Sequence, residues 1–172
     1  MRKVLSKKFF ERSAPEVAEE LIGKYLVRRV RGRELAFMIT EVEAYEGFDD
    51  KASHASKGRT KRTEVMFGCA GVYYVYLVYG MYEMLNIVTG SKDYPAAVLI
   101  RGVKDVSGPG RLTKYLKITR ALSGKKAARK SGLWIEERGS KISKKDIKKT
   151  KENVEDYDIE DLEWNDNIYH KF

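Results

Sequence analysis

Cysteine and histidine are scarce in this chain of 172 residues, which contains one cysteine, Cys69, and two histidines. A single thiol excludes an internal disulfide, and it also excludes an iron–sulfur cluster, which several thiolates hold. The two histidines and Cys69 lack the spacing of zinc ligands. The sequence therefore predicts neither a disulfide framework nor a metal site.

Long apolar runs are also missing. No stretch approaches the roughly 18 uninterrupted apolar residues that a membrane-spanning helix needs. The N-terminal segment MRKVLSKKFFERSAPEV lacks the apolar core and the cleavage site of a secretory signal. We therefore expect a cytoplasmic protein, associated with the nucleoid if it is prokaryotic, and no contact with a membrane.

Positive charge is plentiful, because 34 Lys and Arg outnumber 25 Asp and Glu and give a net charge of +9. Such a surface favours an anionic partner such as nucleic acid. The charge is uneven, since residues 121–151 are rich in lysine and residues 152–166 hold eight acids and no base. The alternative interpretation is a solvated helix face followed by an acidic tail that partly neutralises it.

The hydrophobic pattern predicts a single α+β domain over residues 1–172, with a mixed or antiparallel curved sheet, a protruding hairpin and surrounding helices. Residues 46–70 are polar and lack periodicity, and a loop of that length is usually functional. The predicted helices are 14–24 and 108–118, and the predicted strands are 25–30, 34–45, 72–79, 83–89 and 95–103.

The predicted strand LAFMITEVEAY has apolar residues on one face in its first half, and two acids follow at the positions that would continue that face. Counting by two from Phe37 and Ile39 leads to Glu41 and Glu43. Burying a carboxylate is costly unless it is paired, so this pattern indicates a functional site. The alternative is that the strand leaves the sheet near Thr40 and both acids face solvent.

Tyrosine is concentrated in one segment, because five of the eleven tyrosines lie between Tyr73 and Tyr82. Tyr76 lies on one strand face, whereas Tyr79 precedes Gly80 at a predicted hairpin turn. An aromatic ring at a hairpin tip is well placed to enter a base stack. The alternative is that the tyrosines are strand formers whose hydroxyls reach water.

Other polar residues stand out by their neighbours. His54, Arg59 and Arg62 lie in the polar loop, where the arginines either bind phosphate or solvate the loop. Asn86 lies among apolar strand residues and needs partners for its amide. Arg101 follows the buried-looking run AAVLI.

These motifs together resemble the alkyladenine (3-methyladenine) DNA glycosylase family of animals and many bacteria. The resemblance runs from FFERSAPEVAEELIGKYLVRR to about residue 120, and residues 121–172 diverge. It is carried by EVEAYEG, the histidine of KASHASKG, YVYLVYGMY with the asparagine that follows it, and GPGRL. The joint occurrence of these motifs is highly specific.

The resemblance implies a monofunctional glycosylase without lyase activity or cofactor, acting on double-stranded DNA and expected to be a monomer. Such an enzyme flips an alkylated or deaminated purine (3-methyladenine, 7-methylguanine, hypoxanthine or ethenoadenine) from the duplex and hydrolyses its N-glycosidic bond. By motif match, Glu43 is the general base that deprotonates the attacking water. Arg101 corresponds to an arginine that helps to hold that water.

The resemblance also assigns the residues that bind the substrate. Tyr45 stacks on one side of the flipped base, with His54 and Tyr76 on the other, and Asn86 crowds the amino group of an undamaged guanine. Tyr79 fills the vacancy left in the duplex. The remaining predicted DNA contacts are Arg59, Arg62 and Met81.

Two departures from the family pattern matter. The family often has T-P-R-N where this chain has TKRT at 60–63, which changes a turn and an amide contact. In the divergent C-terminal third, Val154 is a candidate for the backbone carbonyl that holds the water, and further candidate phosphate contacts are Lys125, Lys126, Arg129 and Lys130. Two alternatives stay open: a catalytically silent nucleic-acid-binding module, and a hydrolase of free nucleosides.

Overall fold

A computed structural model describes residues 2–51 and 53–139. The acidic segment and Val154 lie outside the described residues, as does the C-terminal part of the lysine-rich segment. Within the described ranges, no helix combines the length and the apolar character needed to cross a membrane.

Eight strands form one sheet in the described part of the chain, and every pairing in it is antiparallel. The fold is thus α+β, as predicted, with the antiparallel rather than the mixed arrangement. The strand order is β1-β8-β2-β3-β6-β5-β4, with β7 beside β6. The strands are β1 Lys3–Val4, β2 Tyr25–Val30, β3 Arg33–Glu46, β4 Tyr73–Val78, β5 Tyr82–Val88, β6 Ala96–Val103, β7 Val106–Ser107 and β8 Leu133–Glu137.

Among the residues that the structure describes, three α-helices accompany the sheet: α1 Lys7–Phe10, α2 Ala14–Leu21 and α3 Pro109–Tyr115. The predicted helix at 14–24 ends early, at Leu21, because Ile22 already has an extended ψ of 126°, and Gly23 follows with a φ of 85°. Sequence patterns predicted neither the short helix α1 nor strands β1, β7 and β8. Strand β8 pairs with β1 and β2, which lie far away in the sequence.

The sheet has an apolar layer on each face. The main core lies between one face and helices α2 and α3, and it includes Val17, Leu21 and Leu112. The other face carries a smaller group, here called the cleft-side cluster, which consists of Ala55, Met66, Phe67, Tyr74, Val88 and Ala97. Half of this cluster comes from residues 46–70, so the predicted loop covers the second face of the sheet. It contains two 3-10 helices, His54–Lys57 and Glu64–Phe67.

The pairing of β3 with β6 is interrupted by two adjacent bulges. Consecutive partners there are Ile39–Val103, Glu41–Gly102 and Val42–Ile100. The first step adds a residue, Thr40, to β3, and the second adds Arg101 to β6. Each strand gains one residue, so the alternation between core-facing and cleft-facing side chains is reversed beyond the bulges in both strands. The two extra residues compensate each other, and the overall register is kept.

This reversal corrects the predicted alternation. Ile39 and Val42 both contact the main core although they are three residues apart, so Glu43 lies on the opposite face from Ile39. The prediction that Glu43 continues the face of Ile39 was wrong, because simple counting cannot foresee a bulge. The alternative that the strand leaves the sheet near Thr40 is also wrong, since pairing continues to Glu46 opposite Ala96.

One buried hydroxyl of the main core generates a stability prediction. Tyr73 is completely buried, its hydroxyl has no hydrogen-bond partner among the described residues, and burial raises the pKa of its phenol. We expect Tyr73→Phe to stabilise the protein by about 1 kcal/mol, because it removes an unsatisfied buried donor. Urea unfolding curves with an unchanged slope measure the difference. The matched variant Tyr74→Phe, which loses a hydroxyl 3.4 Å from His54 Nδ1, should gain no stability; a destabilised Tyr73→Phe would contradict the expectation.

Candidate active site

A cleft opens on the cleft-side face of the sheet. Its empty space is about 240 Å³, counting the open mouth. Sheet residues form its floor, and the segment 46–70 forms one wall. The lining residues are Tyr45, Ser53, His54, Met66, Tyr74, Tyr76 and Asn86. The structure therefore brings together four residues that the sequence assigned to base binding, namely Tyr45, His54, Tyr76 and Asn86.

The carboxylate of Glu43 lies beside Tyr45 and is held at both oxygens. Arg101 Nη1 donates a hydrogen bond and forms an ion pair with Oε1, and the Tyr45 hydroxyl donates to Oε2 at 2.6 Å. The side chains of Arg101 and Glu43 are only 14% and 18% exposed. A half-buried carboxylate is tolerable here because it is paired, and each oxygen keeps a lone pair that can accept from water.

Tyr45 is two residues beyond Glu43, so both side chains lie on the same face of β3. Burial first, and then the hydrogen bond to Glu43, raise the pKa of the Tyr45 phenol above its ordinary value of 10.0. The hydroxyl therefore stays protonated and can donate at neutral pH. Tyr45 thus both lines the cleft and orients the carboxylate.

His54, Tyr74 and Tyr76 form an aromatic wall of the cleft. The rings of His54 and Tyr76 meet edge to face with centroids 4.4 Å apart, and Tyr74 lies 5.2 Å from Tyr76. His54 opens a 3-10 helix that is fixed by Ser53, whose hydroxyl accepts from the Ala55 backbone N–H at 3.2 Å. The turn at 54–57 therefore delivers the imidazole to a wall built from β4.

Arg62 sets the electrostatics of this wall. Its guanidinium lies 5.2 Å from the centroid of the Tyr76 ring, and its Nη2 donates to the Leu77 carbonyl at 3.3 Å. Burial first, and then the charge of Arg62, lower the pKa of His54 below its ordinary value of 6.5. Burial raises the pKa of Tyr76 to about 12. At neutral pH the wall is thus uncharged, with one cation at its rim.

The altered turn at 60–63 still forms. The Thr60 N–H donates to Thr63 Oγ1 at 2.8 Å, and the Thr63 hydroxyl donates to the Gly58 carbonyl at 3.0 Å. Thr63 is buried, and its hydroxyl is bonded within the turn. The departure from the family pattern therefore leaves Arg62 in place.

Asn86 is buried and satisfies the expectation that its amide needs partners. Its Nδ2 donates to the carbonyls of Tyr74 at 3.2 Å and Met84 at 3.3 Å. These bonds fix the amide against both strands of the hairpin. A fixed polar group on the cleft floor can discriminate between ligands by shape.

The hairpin between β4 and β5 ends in two exposed apolar side chains. Tyr79 is 79% exposed and Met81 is 64% exposed, and the Met81 N–H donates to the Val78 carbonyl at 3.1 Å. Tyr79 and Gly80 both have positive φ, 51° and 72°, as in a type I′ turn. A left-handed conformation is uncommon for an aromatic residue, and such strain is found most often at functional sites.

Arg59 and Arg129, two residues predicted to contact phosphate, form ion pairs with acidic side chains of this chain. Arg59 forms ion pairs with Glu64 at 3.0 Å and Asp93 at 2.5 Å, so its charge is offset. Arg129 bonds to Glu136 and packs over Trp134 at 4.8 Å. Both arrangements favour a structural role.

The sequence did not single out Ser53, Met66 or Tyr74 as parts of the cleft. Only the alternation of β4 pointed to Tyr74, and no signal marked the other two. In the ranges that the structure describes, no three His, Cys, Asp or Glu side chains converge as a metal site would require.

The fold thus presents a cleft lined by aromatic side chains, with the paired carboxylate of Glu43 beside Tyr45 at its edge. A sequence profile of the methylpurine-DNA glycosylase family matches residues 8–107. The chain is 44% identical over 154 residues to a protein of Methanocella arvoryzae named "Putative 3-methyladenine DNA glycosylase", covering 78% of this chain and 77% of the relative. It is also 52% identical to proteins of the same name from a Wolbachia of Brugia malayi (68% and 71% covered) and from Rickettsia felis (67% and 67%). The chain belongs to the methylpurine-DNA glycosylase family.

The position of Arg62 generates a titration prediction. Arg62→Ala should raise the pKa of His54 towards 6.5, because a nearby cation that disfavours the imidazolium is lost. NMR titration measures this directly, since the chain has only two histidines and His54→Gln assigns the signal.

The sign of the accompanying stability change follows from proton binding. Between the lowered folded-state pKa of His54 and 6.5, the unfolded chain binds more protons than the folded one, so stability falls as the pH falls through this window. Arg62→Ala should reduce that loss. The matched control is Arg59→Ala, and an equal change in both variants would contradict the assignment to Arg62.

Proposed function

We propose that this protein is a monofunctional DNA glycosylase that removes alkylated or deaminated purines from duplex DNA. The observation that carries the proposal is the paired carboxylate of Glu43 at the edge of an aromatic cleft. The names of the relatives, which specify 3-methyladenine, support the substrate class. The named lesions to test are 3-methyladenine, 7-methylguanine, hypoxanthine and ethenoadenine.

In this mechanism Glu43 is the general base. A water molecule bound to its carboxylate attacks C1′ of the deoxyribose and gives its proton to Glu43, while the electron pair of the N-glycosidic bond leaves with the purine. The sugar passes through an oxocarbenium-like state, which the negative charge of Glu43 stabilises. The products are a free base and an abasic site, and no covalent enzyme intermediate forms.

Arg101 and Tyr45 support this step by orientation. Both donate to the Glu43 carboxylate from fixed positions, so its remaining lone pairs have defined directions. The guanidinium of Arg101 also offers further donors to the water. A preorganised base of this kind loses little free energy to reorganisation.

The flipped purine stacks between Tyr45 and the wall formed by His54 and Tyr76. A purine alkylated at N3 or N7 is cationic, which favours stacking on electron-rich phenol rings and makes the base a good leaving group. The neutral pair of His54 and Tyr76 adds no repulsive charge. Asn86 lies on the floor, where its amide would crowd the exocyclic amino group of guanine.

Outside the cleft, Tyr79 occupies the space that the flipped nucleotide leaves in the duplex, and Met81 contacts the adjacent bases. Arg62 is the better candidate for a phosphate contact, because the charge of Arg59 is offset by two carboxylates. The partner is double-stranded DNA, bound by a monomer.

Replacing the proposed general base, Glu43, should strongly reduce catalysis but not the binding of DNA. Glu43→Gln should lower the single-turnover rate of base release by about 100-fold or more, because general base assistance is lost. The assay is release of free base from duplexes that each carry one of the four lesions. The variant should still bind a duplex that contains an abasic site.

The matched control is Glu41→Gln, which changes the neighbouring acid that packs against Gly102. It should retain release. Equal release by wild type and Glu43→Gln would remove Glu43 from this role, and DNA binding without release by the wild type would favour a silent binding module.

Tyr79 has a distinguishable role. Tyr79→Ala should lower excision from duplex DNA by about tenfold, and should leave excision from single-stranded DNA unchanged, because only a duplex leaves a vacancy to be filled. Parallel single-turnover assays on the two substrates measure the ratio. Equal losses on both substrates would show that Tyr79 is not a wedge, and efficient hydrolysis of free nucleosides would favour the nucleoside hydrolase.

A further inference from the structure

The outer half of the β4–β5 hairpin extends beyond the rest of the sheet. Strand β5 pairs with β6 only from Asn86 to Val88, whereas it pairs with β4 all the way to Val78–Tyr82. Strand β4 is itself the edge of the sheet. An isolated two-stranded hairpin is only marginally stable in water. Contacts from outside the sheet must therefore hold the half of the hairpin that carries Tyr79.

Helix α3 supplies such contacts on the β5 side. The hydroxyl of Thr113, which is 1% exposed, donates to the Glu83 carbonyl at 2.8 Å. Gly110 approaches Tyr82 so closely that a Cβ atom at this position would lie 2.7 Å from Cδ1 of the ring. The backbone of Gly110 is helical and accepts any residue, so its small size serves this contact.

The chain after α3 continues around the hairpin. The backbone N–H and Nε of Arg120 donate to Glu83 Oε1 at 3.4 and 3.1 Å. On the β4 side, the Val75 N–H donates to Ser123 Oγ at 3.2 Å. Contacts from Gly110, Thr113, Arg120 and Ser123 therefore reach both strands, and we call this set the hairpin clamp.

We propose that the hairpin clamp fixes the direction in which Tyr79 projects, and that Gly110 and Thr113 are positioning residues for insertion of this ring into the duplex. The inference rests on the proposed function and assigns a role to the GPGRL motif at 108–112, none of whose residues lines the cleft. A wedge that is rigid before it meets DNA loses less conformational entropy on insertion. Loosening the clamp should therefore impair the duplex-specific step and spare bond hydrolysis.

Matched substitutions test this. Thr113→Val keeps the shape and loses the hydroxyl, and Thr113→Ser keeps the hydroxyl. The measured quantity is the ratio of single-turnover excision from duplex to excision from single-stranded DNA of the same sequence, using the lesion that wild type releases fastest. Thr113→Val should lower this ratio by about fivefold, whereas Thr113→Ser should not change it.

Gly110→Ala provides an independent probe. Alanine suits a helix better than glycine, so a lowered ratio would come from displacement of Tyr82 and not from the helix itself. A general loss of stability lowers both rates together and leaves the ratio unchanged. A lower ratio in Gly110→Ala therefore supports positioning.

A double-mutant cycle with Tyr79→Ala decides whether the clamp acts through the wedge. In the Tyr79→Ala background, Thr113→Val should cause no further fall in the ratio. An equal fall in both backgrounds, or unchanged ratios in Thr113→Val and Gly110→Ala, would overturn the inference.

If the wild type releases no base from either substrate, the proposed function fails instead. Fluorescence of 2-aminopurine beside the lesion then reports insertion without chemistry, and equal unstacking by wild type and Thr113→Val would refute the clamp.

Discussion

The paired bulges on β3 and β6 are the constraint on which the rest of the site depends. One extra residue on each strand allows Val42 and Ile100 to stay in the main core, while Glu43 and Arg101 turn together to the cleft face. A single bulge would have shifted the register and separated them. The ion pair between the two side chains is thus a consequence of the strand geometry. Each charge is tolerable in its half-buried position because the two bulges place its partner on the same face.

Two regions of the protein around this pair have different surface properties, namely the cleft face and the tip of the β4–β5 hairpin. The cleft face holds a carboxylate, aromatic rings and an amide whose positions are fixed by hydrogen bonds to backbone or to one another. The hairpin tip, by contrast, exposes the side chains of Tyr79 and Met81 to solvent. Helix α3 connects the two regions, because its apolar side packs into the main core while Thr113 bonds to Glu83 in the outer half of the hairpin.

Much of the fold follows from local patterns. Strands β2 and β5 and the start of α2 lie close to where periodicity and breaker residues predicted them, because alternation and helical spacing report local burial. Strand β8 was missed because it owes its place to partners more than a hundred residues away. Arg59 and Arg129 look like any basic residue in the sequence, and only the fold brings Asp93 and Glu136 to them.

The sequence by itself determined which residue types are available for the chemistry, and its motifs resembled those of the family to which the chain belongs. These features are local, since each motif is a short run that can be recognised without knowing which distant residues it contacts. Tertiary structure decided which face Glu43 occupies, which cations remain available to an anion, and what supports the hairpin that carries Tyr79. Those properties arise from strand register and from contacts between distant segments, and neither is encoded in any single stretch of the chain.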